Sequence, residues 1–220
     1  MSKLIMDNAV VADDWVVVSL PVIEGEEVRK QAGKVVIFKL TGEVAATAEQ
    51  IAGTVIPDNG KVIVPFSIWQ ARKNELEPRL KAGELGIWLE SFELVEDLIA
   101  DTANVNQFPV IAINFPRFID GRGYSLATLL RTRYGFRNQL RAIGDVLRDQ
   151  LFYMHRCGFN AYAIRTDRSA ADALASLRDF SEPYQGAVNI PQPVWRRVAR
   201  PCYQPSRGVA MISPTTDDTD

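Results

Sequence analysis

The stretch Val110-Ile-Ala-Ile-Asn-Phe115, then Ser125-Leu-Ala-Thr-Leu-Leu-Arg-Thr-Arg-Tyr134, then Gln139-Leu-Arg-Ala-Ile143 decides the fold class. The outer pieces are short, apolar and rich in β-branched residues, as buried strands are. The middle piece sets Leu126, Leu129, Leu130 and Tyr134 at i, i+3, i+4 and i+8, a single apolar stripe along a helix. The same alternation extends in both directions. Val62–Phe66 precedes a helical Ala71–Lys81, and Leu85–Leu89 precedes Glu93–Asp101. Gln139–Ile143 leads into Val146–Cys157, where Leu147, Leu151 and Met154 repeat the stripe, and Ala161–Arg165 leads into Ser169–Phe180. About five βα units predict an α/β fold with a mostly parallel sheet covered by helices. An open doubly wound sheet is the first expectation. A partial barrel is the alternative, because five units are too few for a full eight-stranded one.

Outside this repeat the chain reads differently. Residues 1–60 form a β-rich segment expected to pack on the core. Leu4–Met6 and Ala9–Val11 flank Asp7-Asn8, and Asp13-Asp14 offers turn chemistry before the dense run Trp15–Leu20. Val35–Leu40 reads as a further strand, Glu24–Lys34 as an exposed connection and Gly42–Ala52 as a short helix. Residues 61–182 hold the repeat. Residues 183–220 lose periodicity and read as a poorly ordered tail, with Trp195 and Tyr203 as its candidate anchors.

Inventory narrows the chemistry. With one histidine, and cysteines only at 157 and 202, the chain lacks the ligands of a usual zinc or iron–sulfur site, so no metal is expected. No lysine follows Lys81, and Gly121-Arg122-Gly123 lacks the third glycine of the dinucleotide fingerprint, so no cofactor is expected either. The longest apolar runs, such as Val62–Ile68, fall far below the roughly 18 residues of a membrane span. The reading is a cytoplasmic protein with no membrane and no nucleic-acid partner.

Charge is unevenly placed. From Arg117 to Arg168 there are ten arginines and four aspartates, on a chain of formal net charge −2. Such a concentration suits a small anionic ligand or an acidic protein surface. In a parallel sheet the loops after the strands share one rim, where ligands collect. On that rim the sequence sets Ser67, Glu90, Asp120, Arg122, Asp145, Arg165 and Asp167, with Arg117 and Arg148 within reach. Asp120 and Asp145 are the candidate catalytic carboxylates. Arg117, Arg122, Tyr124, Ser125, Arg141 and Arg148 are the candidate anion- or partner-binding groups. Asp145 also stands where an N-cap would, and Asp120-Gly121 is a plain turn pair. His155 and Cys157 lie at i, i+2 on one helix and so point to different faces.

The runs Asn114-Phe-Pro-Arg-Phe-Ile-Asp-Gly-Arg-Gly-Tyr-Ser125, Leu129-Leu-Arg-Thr-Arg-Tyr-Gly135, Leu140-Arg-Ala-Ile-Gly-Asp-Val-Leu-Arg-Asp-Gln-Leu-Phe152 and Arg156-Cys-Gly-Phe159 resemble a bacterial family, domain of unknown function 934. Its members are often labelled oxidoreductases of sulfite reduction. The resemblance implies a place in assimilatory sulfur metabolism, beside sulfite or nitrite reductase haemoproteins, and supplies no mechanism. Two functions are therefore carried forward. One is an accessory protein that binds a sulfite reductase or its electron donor. The other is an enzyme or binder for a small sulfur oxyanion or sulfated nucleotide at the arginine-rich rim.

Overall fold

The structure is a computed structural model that describes residues 3–21, 45–102 and 104–197. Its strands are β1 (Lys3–Met6), β2 (Ala9–Ala12), β3 (Trp15–Val17), β4 (Lys61–Pro65), β5 (Leu85–Leu89), β6 (Val110–Phe115), β7 (Gln139–Gly144) and β8 (Ala161–Tyr162). Between them lie α1 (Ala48–Gly53), α2 (Phe66–Lys81), α3 (Val95–Asp101), α4 (Arg122–Thr132) and α5 (Leu151–Cys157). Helices α6 (Ala170–Ala175) and α7 (Val194–Arg197) follow β8.

All eight strands join one sheet in the order β2-β1-β8-β7-β6-β5-β4-β3. Neighbours from β3 to β8 run parallel, whereas β1 is antiparallel to both β2 and β8. The β1–β2 hairpin turns at Asp7 and Asn8, with φ of 48° and 63°. Asp and Asn tolerate that left-handed backbone, which two-residue hairpins require.

The order corrects the expectation of a doubly wound sheet, which needs a point where strand order reverses. Here β3 to β8 are laid down in sequence, each crossover advancing the same way. Crossovers of one hand then leave every helix on one face. The packing agrees. Val62, Val64, Ile87, Ile113, Leu140 and Tyr162 point to the helices and share a core with Leu80, Leu126, Leu130 and Met154. The alternate residues Ile63, Trp88, Val110, Ala112 and Ile143 face the other way and, among the described residues, pack with one another, Trp15 and Ala163. Both faces are dry, so the strands read as continuous apolar runs.

The sheet is curled into a half-barrel, and the chain shows why. Strands β2 and β3 occupy opposite edges, yet only Asp13 and Asp14 separate them. Three Cα steps span at most about 11 Å. Edges of a flat eight-stranded sheet would lie about 33 Å apart. The edges must therefore approach each other, and Asp13-Asp14 is a link between them, not a reversing turn. From this link Asp13 reaches into the concave interior. Its two oxygens accept from Arg141 Nη1 and Nη2 at 3.0 and 3.1 Å, and Arg141 is fully buried. With the Gln139 amide turned to present its oxygen, that oxygen accepts from Arg141 Nη2 and Nε at 3.0 and 3.1 Å.

Residues 183–197, read from the sequence as the start of the tail, dock against α5. Val188 N donates to Arg156 O at 3.0 Å, and the Tyr184 and Trp195 rings lie 4.8 Å apart. The expected strand Val35–Leu40, the connection Glu24–Lys34 and Tyr203 lie outside the described residues.

Candidate functional site

The rim is built by the loops that leave the carboxyl ends of the strands. After β5 come Glu90 and Ser91, after β6 the loop 116–121, after β7 Asp145, and after β8 Arg165 and Asp167. These loops are stitched to one another through carboxylates. Asp120 accepts from Ser91 Oγ at 2.7 Å, from Arg122 N and Nε at 3.1 Å and from Arg122 Nη2 at 2.9 Å. The Arg122 guanidinium holds the Asp120 carboxyl down at about 2. An anion does occupy the amino end of α4, as the residue pattern suggests, but it is the protein's own Asp120.

Asp145 is placed differently from a helix cap. The turn that leads into α5 is capped at Leu147, whose N–H donates to Gln150 Oε1 at 3.0 Å. Asp145 instead accepts from Phe118 N at 2.9 Å and from Arg165 Nη1 at 2.7 Å. Arg165 turns its remaining donors on Asp167, at 2.6 and 2.9 Å. The backbone at Gly144 makes this register possible. Its φ is +92°, and a Cβ there would meet Phe115 O at 2.4 Å. Asp120 and Asp145 are thus brought to the same loop, 117–120, and each is neutralised by an arginine.

The other candidates scatter. Arg141 is in the concave interior with Asp13, away from the rim. Arg148 is exposed beside Asp179, at 3.8 Å. Tyr124 is half-buried, its ring 5.3 Å from Phe115 and 4.9 Å from Tyr153, so it belongs to the packing beneath α4. Ser125 is exposed in the first turn of α4, and Arg117 is exposed on the loop before it. Further along, Arg131 donates to the carbonyls of Phe136, Asn138 and Gly158, tying α4 to β7 and β8. Cys157 is buried, and burial pushes its thiol up.

Beside the rim lies a cavity of about 700 Å³ whose lining includes Ser67, Gln70, Trp88, Glu90, Glu93 and Asp97. Among the described residues its charged groups are all carboxylates, the reverse of what an oxyanion requires. Burial pushes Glu93 up to about 7 and raises Glu90, which accepts from Asn114 Nδ2 at 2.9 Å. Sequence reasoning named Ser67 and Glu90 but missed Glu93, because an acidic residue ahead of a helix is ordinary N-terminal chemistry. It also missed Ser91 and Asn114, which no local pattern marks. Among the described residues no three His, Cys, Asp or Glu side chains are grouped to hold a metal ion.

Fold and rim together define a mostly parallel α/β half-barrel whose strand-end loops are laced by arginine–carboxylate pairs. The chain belongs to the family described as bacterial protein of unknown function, DUF934, which it matches over residues 86–195. That span runs from β5 into α7 and contains every rim loop after β5. No curated protein and no solved structure matches the chain. Among the described residues no helix is long and apolar enough to cross a membrane.

Proposed function

We propose that this chain is an accessory protein of assimilatory sulfite reduction that acts by binding a sulfite reductase or its electron donor. The process comes from the family resemblance. The mode of action rests on one observation: two guanidinium groups of the rim are closed onto the protein's own carboxylates, Arg122 on Asp120 and Arg165 on Asp145 and Asp167. A sulfur oxyanion would have to displace a carboxylate already in place, and the described lining of the adjoining cavity offers it no cation. An oxyanion site built from Arg122, Arg141 and Arg148 is therefore the weaker reading, since these three arginines point to three different acidic partners.

The exposed arginines of the stretch 117–168 also divide. Arg133 and Arg137 follow the far end of α4, whereas Arg117, Arg148 and Arg168 stand at the strand-end rim. Only the second group shares a surface with the stitched loops, and that surface is the one suited to an acidic partner. The test is direct association of the purified chain with its cognate reductase. Binding at low salt, with an association rate that falls as ionic strength rises, is the expected result. Absence of binding, together with unchanged sulfite reduction in cells lacking the chain, refutes the proposal.

A further inference from the structure

The loop Pro116–Ile119 combines two features that rarely occur together. It is exposed and apolar at its tip, with Phe118 at 42% and Ile119 at 76% of full exposure. It is also fixed. Phe118 N–H donates to Asp145, and the Phe118 carbonyl accepts from Gln150 Nε2 at 3.0 Å. Gln150 is itself buried, and Asp145 is gripped from behind by Arg165. The far side of the loop is closed by Asp120 N donating to Arg117 O at 3.0 Å, while Ser91 and Arg122 anchor Asp120. Scattered exposed apolar residues need no explanation. Here, however, side chains from two other loops converge to hold an aromatic and an isoleucine out in water.

Arg117 completes the tip. Unlike Arg122 and Arg165, it makes no ion pair among the described residues, so within them its positive charge stands uncompensated beside the apolar side chains. An aromatic, an aliphatic and an arginine on a rigid backbone are what interface anchors are made of. Fixing the loop in advance removes much of the ordering cost of association.

We infer that Pro116–Ile119 is the docking element of this chain, and that its occupant is a folded protein offering an apolar pocket edged by carboxylates. This rests on the accessory-protein reading above and locates its contact surface. The pocket takes Phe118 and Ile119, and a carboxylate at its edge meets Arg117. The two reactive-looking aspartates are then positioning residues for the loop, acting through Phe118 and Arg117 and not on a substrate.

The experiment measures the affinity of the cognate reductase for loop variants at low salt. Phe118→Ser and Ile119→Ser are each expected to raise Kd at least about tenfold. Arg117→Glu should slow association, whereas Arg137→Glu at the opposite end should leave the rate unchanged. Gln150→Ala keeps the tip residues but frees the backbone, so it should also weaken binding, and circular dichroism confirms that each variant folds. If the unaltered chain binds the reductase and all loop variants stay within about twofold of it, the loop assignment is overturned and the accessory reading stands. If the unaltered chain does not bind, both are overturned.

Discussion

Replacing Asp13 with alanine should destabilise this protein far more than its place in a short interstrand link suggests. The Arg141 side chain is 0% exposed and that of Asp13 is 9% exposed, so removing the carboxylate strands a guanidinium in the concave interior. Breaking a buried ion pair in this way costs about 3–5 kcal/mol. Gln139 still faces the guanidinium, which places Asp13→Ala at the lower end, about 3 kcal/mol. Arg141→Met should cost somewhat less, about 2–3 kcal/mol, because the abandoned carboxylate keeps the Trp15 N–H bond at 3.2 Å. The double variant leaves no orphan charge and should lose less than the sum, with a coupling of about 2 kcal/mol. In equilibrium urea unfolding, with a slope of about 2–3 kcal/mol per molar, Asp13→Ala lowers the midpoint by about 1–1.5 M. A loss below about 1 kcal/mol for either single variant, or strict additivity, would show that the pair does not hold the curled sheet closed.

Glu93 supplies a pH-dependent test. Its folded value of about 7 lies above the ordinary 4.5, so the folded state binds this proton more tightly than the unfolded chain. Stability from the group is full below 4.5 and is lost as pH rises through 7. Glu93→Gln should therefore raise the urea midpoint at about pH 8 and leave it nearly unchanged at about pH 4; an equal shift at both refutes a buried carboxyl. Asp145→Asn should cost about 1 kcal/mol by weakening the bond from Arg165, discounted for the partial exposure of that arginine. A helix cap at this position would tolerate asparagine silently, so an unchanged melting temperature would restore the cap reading. Gly144→Ala forces a Cβ against Phe115 O at a left-handed φ and should cost about 2–5 kcal/mol, read from thermal unfolding.

Local periodicity made the repeat legible. The runs at 62–66, 85–89, 110–115 and 139–143 fall on β4 to β7 to within about a residue, because strands dry on both faces declare themselves by composition alone. The helix-ending glycines at 83, 135 and 158 all adopt positive φ, as their place after apolar stripes suggests. Helix α2 starts at Phe66, directly from β4 and five residues ahead of the expected Ala71, and α4 starts at Arg122, ahead of the apolar stripe that marks its interior. What sequence did not disclose was long-range. Nothing in the strand runs says whether each crossover advances in one direction or reverses, and that choice separates a half-barrel from a doubly wound sheet. Arg141 on an apolar strand is conspicuous, but its partner lies 128 residues away. Asp145 has the local context of a cap, and only the folded loop shows Phe118 and Arg165 converging on it.

If Arg122 and Arg165 serve as internal partners of Asp120, Asp145 and Asp167 and not as an oxyanion site, the rim takes up neither sulfite nor sulfate. Calorimetric titration of the intact protein with sulfite and sulfate at millimolar concentration tests it most directly. No saturable heat is expected with either ion. Saturable binding that Arg122→Lys abolishes, without loss of thermal stability, would contradict it.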